Sequence, residues 1–206
     1  MQRMAVAAMM LLGTVAWGQS QLANLVLPQF SGDMAITRKD SQGQQVKIYM
    51  GGTRMRSEMA MRGHDTVAIM DMGKKVAYIL MPQMKMYMES SMEEPSRHGA
   101  GFADLMKLAA TNDPCSTRKD ATCTKAGTET VNGRSCDKWL MKTSNGPETV
   151  WMDQKLHFPI RKETAESTLN VTNVKEGSQP ESLFEVPAGY RKFDPRMMQG
   201  MGEQNQ

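Results

Sequence analysis

Cys123-Thr-Lys-Ala-Gly-Thr-Glu-Thr-Val-Asn-Gly-Arg-Ser-Cys-Asp-Lys-Trp-Leu-Met-Lys142 is the stretch from which the fold can be read. At its centre, Asn132-Gly133 separates two runs of strand-like composition. An Asn-Gly pair tolerates the left-handed backbone that a two-residue hairpin turn requires. It folds Cys123–Val131 back onto Arg134–Lys142. Outward from this hairpin the same pattern recurs. Phe30, Gly32, Met34 and Ile36 alternate with Ser31, Asp33 and Thr37, and Val46, Ile48 and Met50 follow suit. Met55, Met59 and Met61 oppose Arg54, Arg56 and Glu58, and Met84, Met86 and Met88 oppose Lys85, Tyr87 and Glu89. Period-two alternation marks antiparallel strands with one packed and one wet face. Gly51-Gly52, Asp71-Met72-Gly73, Met81-Pro82 and Asn145-Gly146 supply the turns between runs.

One stretch departs from this rhythm. Gly101–Ala110 places Phe102, Leu105, Met106 and Ala109 at helical spacing and stops before Asp113-Pro114. About ten strands with one short inserted α-helix predict a strongly curved antiparallel sheet, closed into a barrel or left half open and plugged by the helix. Beyond Phe193 the sequence loses periodicity, and residues 194–206 are expected to form a disordered tail.

The chain has 206 residues, of which 40% are apolar and 23% charged, a size that suits one domain of roughly 100–200 residues plus short extensions. A formal net charge of +3, without acidic or basic blocks, gives no electrostatic reason to expect nucleic acid as a partner. The hydropathy of the whole is too low for an integral membrane protein. Residues 1–18 read as a signal peptide: Arg3, an apolar core from Ala5 to Ala16, then Ala16 and Gly18 at the positions a signal peptidase needs. Cleavage is expected after Gly18, with 19–29 as a lead segment, 30–193 as the β domain, and a soluble periplasmic product.

Export gives the cysteines an oxidising compartment. Three pairings of Cys115, Cys123 and Cys136 are possible on paper, each leaving one thiol over. The favoured pair is Cys115–Cys123, which closes a polar loop and is worth about 2.5 kcal/mol in the loop-closure view. Cys136, inside a strand-like run, is then a buried free thiol.

Several stretches together carry a family likeness: Lys47–Arg56, Val76–Pro82, Lys125–Trp139, Val150–Asp153, Leu156–Ile160 and Leu183–Tyr190. With them the chain resembles an uncharacterised family of exported bacterial proteins, a domain of unknown function with a LolA-like fold. LolA is the periplasmic carrier of lipoproteins, and relatives with its fold bind acyl chains or stand beside lipid pathways. The resemblance implies a mainly β fold, an unclosed (half) β-barrel of antiparallel strands around an apolar cavity with helical cover.

No nucleophile elbow, phosphate loop, dinucleotide fingerprint or spaced histidine pair is present in the sequence, so a non-enzymatic protein without cofactor or bound metal is expected. The concave face is expected to hold a lipid or other hydrophobic molecule, lined by Met34, Ile36, Ile48, Met50, Met55, Met59, Val67, Ile69, Met84, Met86, Leu105 and Met106. Methionine suits such a surface because its unbranched, polarizable side chain adapts to irregular apolar shapes. Two alternatives stand beside this reading. Met-x-Met strands in an exported protein suit Cu(I), and an envelope-assembly role needs no ligand, only a protein partner. Trp139 and Trp151, on neighbouring strands, are expected to pack together or cap one end of the cavity, and Asp153 to end a strand and start the turn at Gln154-Lys155.

Overall fold

The structure, a computed structural model, describes residues 27–61, 63–92, 108–109, 113–116 and 122–193. Twelve strands form one sheet: β1 (Leu27–Arg38), β2 (Ser41–Gly52), β3 (Arg54–Met61), β4 (His64–Asp71), β5 (Val76–Met81), β6 (Met86–Ser91), β7 (Thr122–Val131), β8 (Arg134–Thr143), β9 (Gly146–Asp153), β10 (Pro159–Thr164), β11 (Ser167–Glu176) and β12 (Arg191–Lys192). Their order across the sheet is β12-β6-β5-β4-β3-β2-β1-β11-β10-β9-β8-β7. Two antiparallel meanders therefore meet at the β1–β11 seam. The rims, β12 beside β6 on one side and β7 on the other, do not pair with each other. Sheets wider than about ten strands curl rather than stay flat. This one is a curved, mainly β, unclosed sheet, as the sequence leads one to expect.

Local chemistry explains the elements. Val131 pairs with Arg134 across the Asn132-Gly133 turn, whose residues have φ of 53° and 78°, so the hairpin is the one the Asn-Gly signal specifies. β1 starts at Leu27 rather than Phe30. Pro28 fits there because the register slips between Leu27 and Phe30, and a bulge has no ladder bond for proline to break. Asp153 ends β9 as expected: its Oδ1 accepts from the backbone N–H of Lys155 (2.9 Å) and of Leu156 (2.7 Å). Its other partner is the Arg134 guanidinium, which also reaches Glu176 at 2.8 Å and so ties β8 to β11.

The disulfide Cys115–Cys123 is present, with Cα atoms 5.4 Å apart, joining the turn at Pro114–Ser116 to the start of β7. Cys136 is a free, fully buried thiol, and burial raises its pKa to about 11. The connection from β6 to β7 has to join opposite rims of the sheet. Of that connection, Leu108 and Ala109 are helical and buried. The rest of the helix expected over Gly101–Ala110, the signal peptide, the lead segment up to Val26 and the tail from Asp194 lie outside the described residues.

Candidate functional site

Residues directly opposite one another in an antiparallel ladder share a face, so the register sorts side chains between the two sides of the sheet. One face, the core face, carries Phe30, Met34, Ile48, Met50 and Met55 together with Phe158, Ile160 and Val171, all between 0% and 4% exposed. The Phe30 and Phe158 rings meet edge to face at 5.2 Å. Side chains of β1–β3 thus share one buried cluster with Phe158, with Ile160 of β10 and with Val171, the β11 neighbour of Met34, and Ala109 joins it. Leu108 packs beside it on Met141, Val150 and Met152.

The seal ends along one traceable row. Ile48 pairs with Ser57, Ser57 with Ala68, Ala68 with Ile79 and Ile79 with Met88. Exposure along that row rises from 0% at Ile48 through 5% at Ser57 and 9% at Ala68 to 41% at Met88, with Ile79 partly exposed. The adjoining positions Met70, Met81 and Met86, all on the same face, are also partly exposed. The β4–β6 half of the core face therefore presents an apolar strip, mostly methionine, that the described residues leave open.

The opposite face is organised differently. Arg56 pairs with Ile69 and Glu58 with Val67, which puts Val67 and Ile69 on this side and corrects the expectation that they share a surface with Met55 and Met59. With Leu80 they lie under a strap formed by the segment after β11. Phe184, in a 3-10 turn over Glu181–Phe184, fills the space above Gly51, where an added Cβ would stand 2.7 Å from the ring. The Arg54 guanidinium stacks on that ring at 5.0 Å and pairs with Glu181, while Arg56 donates to the Leu183 carbonyl at 3.0 Å. Further along the same face lies a polar groove of about 680 Å³. Its floor includes the register row Asp33, Lys47, Glu58 and Val67. Tyr49 beside Lys47, helped by Asp33 and Glu58, raises the lysine pKa.

The twelve expected lining residues thus fall into separate places. Met34, Ile48, Met50 and Met55 are in the sealed core, with Ile36 and Met59 packed at its margin. Met59 Sδ accepts from the Gln44 amide at 3.2 Å. Met84 is not on a strand with Met86. It belongs to a 3-10 turn over Pro82–Met84 that ends at Lys85, φ 49°, and it is 60% exposed. Met86 opens β6 and belongs to the open strip. Leu105 and Met106 lie outside the described residues. Sequence reasoning missed Met70, Ile79 and Met81, whose membership follows from register.

The tryptophans are also separated. Trp139 pairs with Val150 and Lys138 with Trp151, so the two rings occupy opposite faces and do not pack together. The Trp151 indole donates to Glu129 at 2.7 Å between Lys138 and Arg161, whose charged ends lie 5.2 and 5.3 Å from its ring. Trp139 Nε1 is buried without a hydrogen-bond partner among the described residues. Beyond it Lys162 meets Glu148 at 3.0 Å. Among the described residues no three His, Cys, Asp or Glu side chains group as a metal site.

The family described as a domain of unknown function (DUF4412) matches residues 30–157. At the level of sequence no curated protein matches. Among solved structures, an uncharacterized conserved protein from Thermus thermophilus superposes with a TM-score of 0.53 at 10% identity, over 82% of this chain and 91% of its own. MucB, seen also in a Pseudomonas aeruginosa MucA/MucB complex, gives 0.55 at 13% identity over 81% of this chain. This chain spans 60% of the length of MucB. A LolA superfamily protein, NE2245 from Nitrosomonas europaea, gives 0.36 at 11% identity over 80% and 94%. The likeness to the first two is one of fold.

Proposed function

The chain belongs to the DUF4412 family, a domain of unknown function, and from that premise we propose that it is an exported, non-catalytic protein that holds a lipid or other hydrophobic molecule on the open half of its core face. The observation that carries this reading is the row from Ile48 to Met88, apolar at every position but Ser57, along which exposure climbs from 0% to 41%. An apolar surface left partly in water on a sheet whose other half is sealed is suited to a guest. Each methylene buried there gains about 0.8 kcal/mol, and methionine conforms to chains of different shape. The disulfide supports export.

A second reading has its own support. The MucB fold is solved in complex with MucA(peri), so an envelope protein segment is the alternative guest on the same face. Native mass spectrometry of the protein, isolated gently from its periplasm, tests both. A lipid-sized adduct released by denaturation supports the first reading, and a co-purifying polypeptide supports the second. A bare mass contradicts both.

A further inference from the structure

The open strip has a chemistry that burial alone does not use. We propose that Met81, Met86 and Met88 form a binding site for a soft monovalent metal ion, Cu(I) or Ag(I), at the β5–β6 rim. Met81 and Met86 are directly opposed in the ladder, and Met88 follows Met86 on the same face, diagonal to Met81. Opposed residues have Cβ atoms about 4.5–5.5 Å apart and diagonal ones about 7–8 Å. Three thioethers, each on a flexible unbranched stem, therefore share one small area of sheet. Their neighbours on β5 and β6, Ile79, Ala77 and Ser90, bring no charge, while Arg191, paired with Met86 from β12, sets one cationic side chain beside the three thioethers. A neutral sulfur-only set favours soft Cu(I) over the hard, oxygen-seeking divalent ions.

Accessibility separates these sulfurs from the core methionines of the same face, and Met70, also partly exposed, stands apart from them on β4 opposite Ala77. Met88 is 41% exposed and Met81 and Met86 are partly exposed, whereas Met50 and Met55 are at 0% and 1% inside the sealed core. Met59 already accepts a hydrogen bond from Gln44. The ion binds as Cu(I) and leaves as Cu(I), so no electron is transferred and no oxidant is needed.

The site lies on the surface proposed for the hydrophobic guest but does not depend on that guest. Leucine keeps the apolar area and deletes the sulfur, so leucine variants separate the two ideas. The experiment is titration of the full mature protein with Ag(I) by calorimetry in chloride-free buffer, repeated with Cu(I) against a chromogenic chelator. The variants are Met81→Leu, Met86→Leu, Met88→Leu, their triple combination, and Met50→Leu as control. Wild type is expected to take one ion, each strip variant to bind about tenfold more weakly, and the triple variant to lose binding. Met50→Leu is expected to bind as wild type does. The triple variant should still take up an apolar fluorescent probe and keep its circular dichroism spectrum. Absence of stoichiometric Ag(I) binding by wild type, or a triple variant that binds as tightly, overturns the metal site while leaving the hydrophobic reading to its own test.

Discussion

Two halves of one sheet face, built from the same kinds of residue, end in different states. On the β1–β3 side Met50 and Met55 are 0% and 1% exposed, but Met88 on β6 is 41% exposed, although all three point from the same face. Residue type does not decide this, since methionine occupies both halves. Curvature does. Phe158 and Ile160 pack into one cluster with the β1–β3 side chains and with Val171, the neighbour of Met34, but the described residues place no such cluster over β5 and β6 on this face. A sheet face is a core only where a second layer meets it. Elsewhere the same face is a surface available for binding.

The largest expected effect is in the sealed half. Phe30→Ala removes a fully buried ring in edge contact with Phe158 and should cost about 3–5 kcal/mol in chemical unfolding. A cost below about 1 kcal/mol would break the distinction between the halves. Matched truncations sharpen it: Met50→Ala is expected to cost about 2–5 kcal/mol and Met88→Ala within about 0.5 kcal/mol, measured in the same denaturant series. Equal losses would mean that β6 is covered after all.

The face under the strap gives a smaller effect. Gly51→Ala forces a methyl into the Phe184 ring and should destabilise by about 1–3 kcal/mol, with faster proteolysis after β11 as the accompanying sign. An unchanged melting temperature would show that the strap does not need Gly51.

The smallest effect is electrostatic and lies on the β7–β11 side. Lys125 above all, with Gln154 and Thr128, holds the Asp137 carboxyl below its ordinary pKa; Lys155 and Arg134 do the same for Glu176. A carboxylate depressed by folding adds stability at pH values above its unfolded pKa, near about 4, and that stability is lost as pH falls through the folded value. The melting temperature should therefore be flat from neutral pH to about 5 and decline below about 4. Asp137→Asn should show a shallower acid decline, and a decline as steep as wild type would remove Asp137 from the account.

Much of this architecture was legible because strands and hairpins are local. Asn132-Gly133 specifies its own turn, alternation marks β1 to β3, and Asp113-Pro114 and Cys115 sit in a loop whose closure by Cys123 follows from proximity in sequence. Which face each strand shows is not local. β4 buries Val67, Ala68 and Ile69 in succession because the sheet curl covers one side and the strap covers the other, so alternation carries no sign there and pairing with Arg56 and Glu58 decides it. The strap itself left one usable trace, the Leu183-Phe184 pair after β11 with a small residue, Gly51, to receive it. Met84 misled because Pro82 starts a 3-10 turn that takes it off the strand. The open strip was only half visible, since Met70, Ile79 and Met81 join Met86 through register alone.

The most direct test of the central claim is binding of a neutral apolar fluorophore, 1-N-phenylnaphthylamine, to wild type, Met86→Asp and Leu140→Asp. Leu140 is also an exposed apolar side chain, at 44%, but it stands on the opposite face beside Thr124 and Thr149. A carboxylate within an apolar site costs at least about 1–3 kcal/mol of binding, so Met86→Asp should weaken the probe about tenfold or more and Leu140→Asp should leave it unchanged, both with native circular dichroism. Equal binding by Met86→Asp and wild type would contradict the claim that the open half of the core face is where this protein holds its guest.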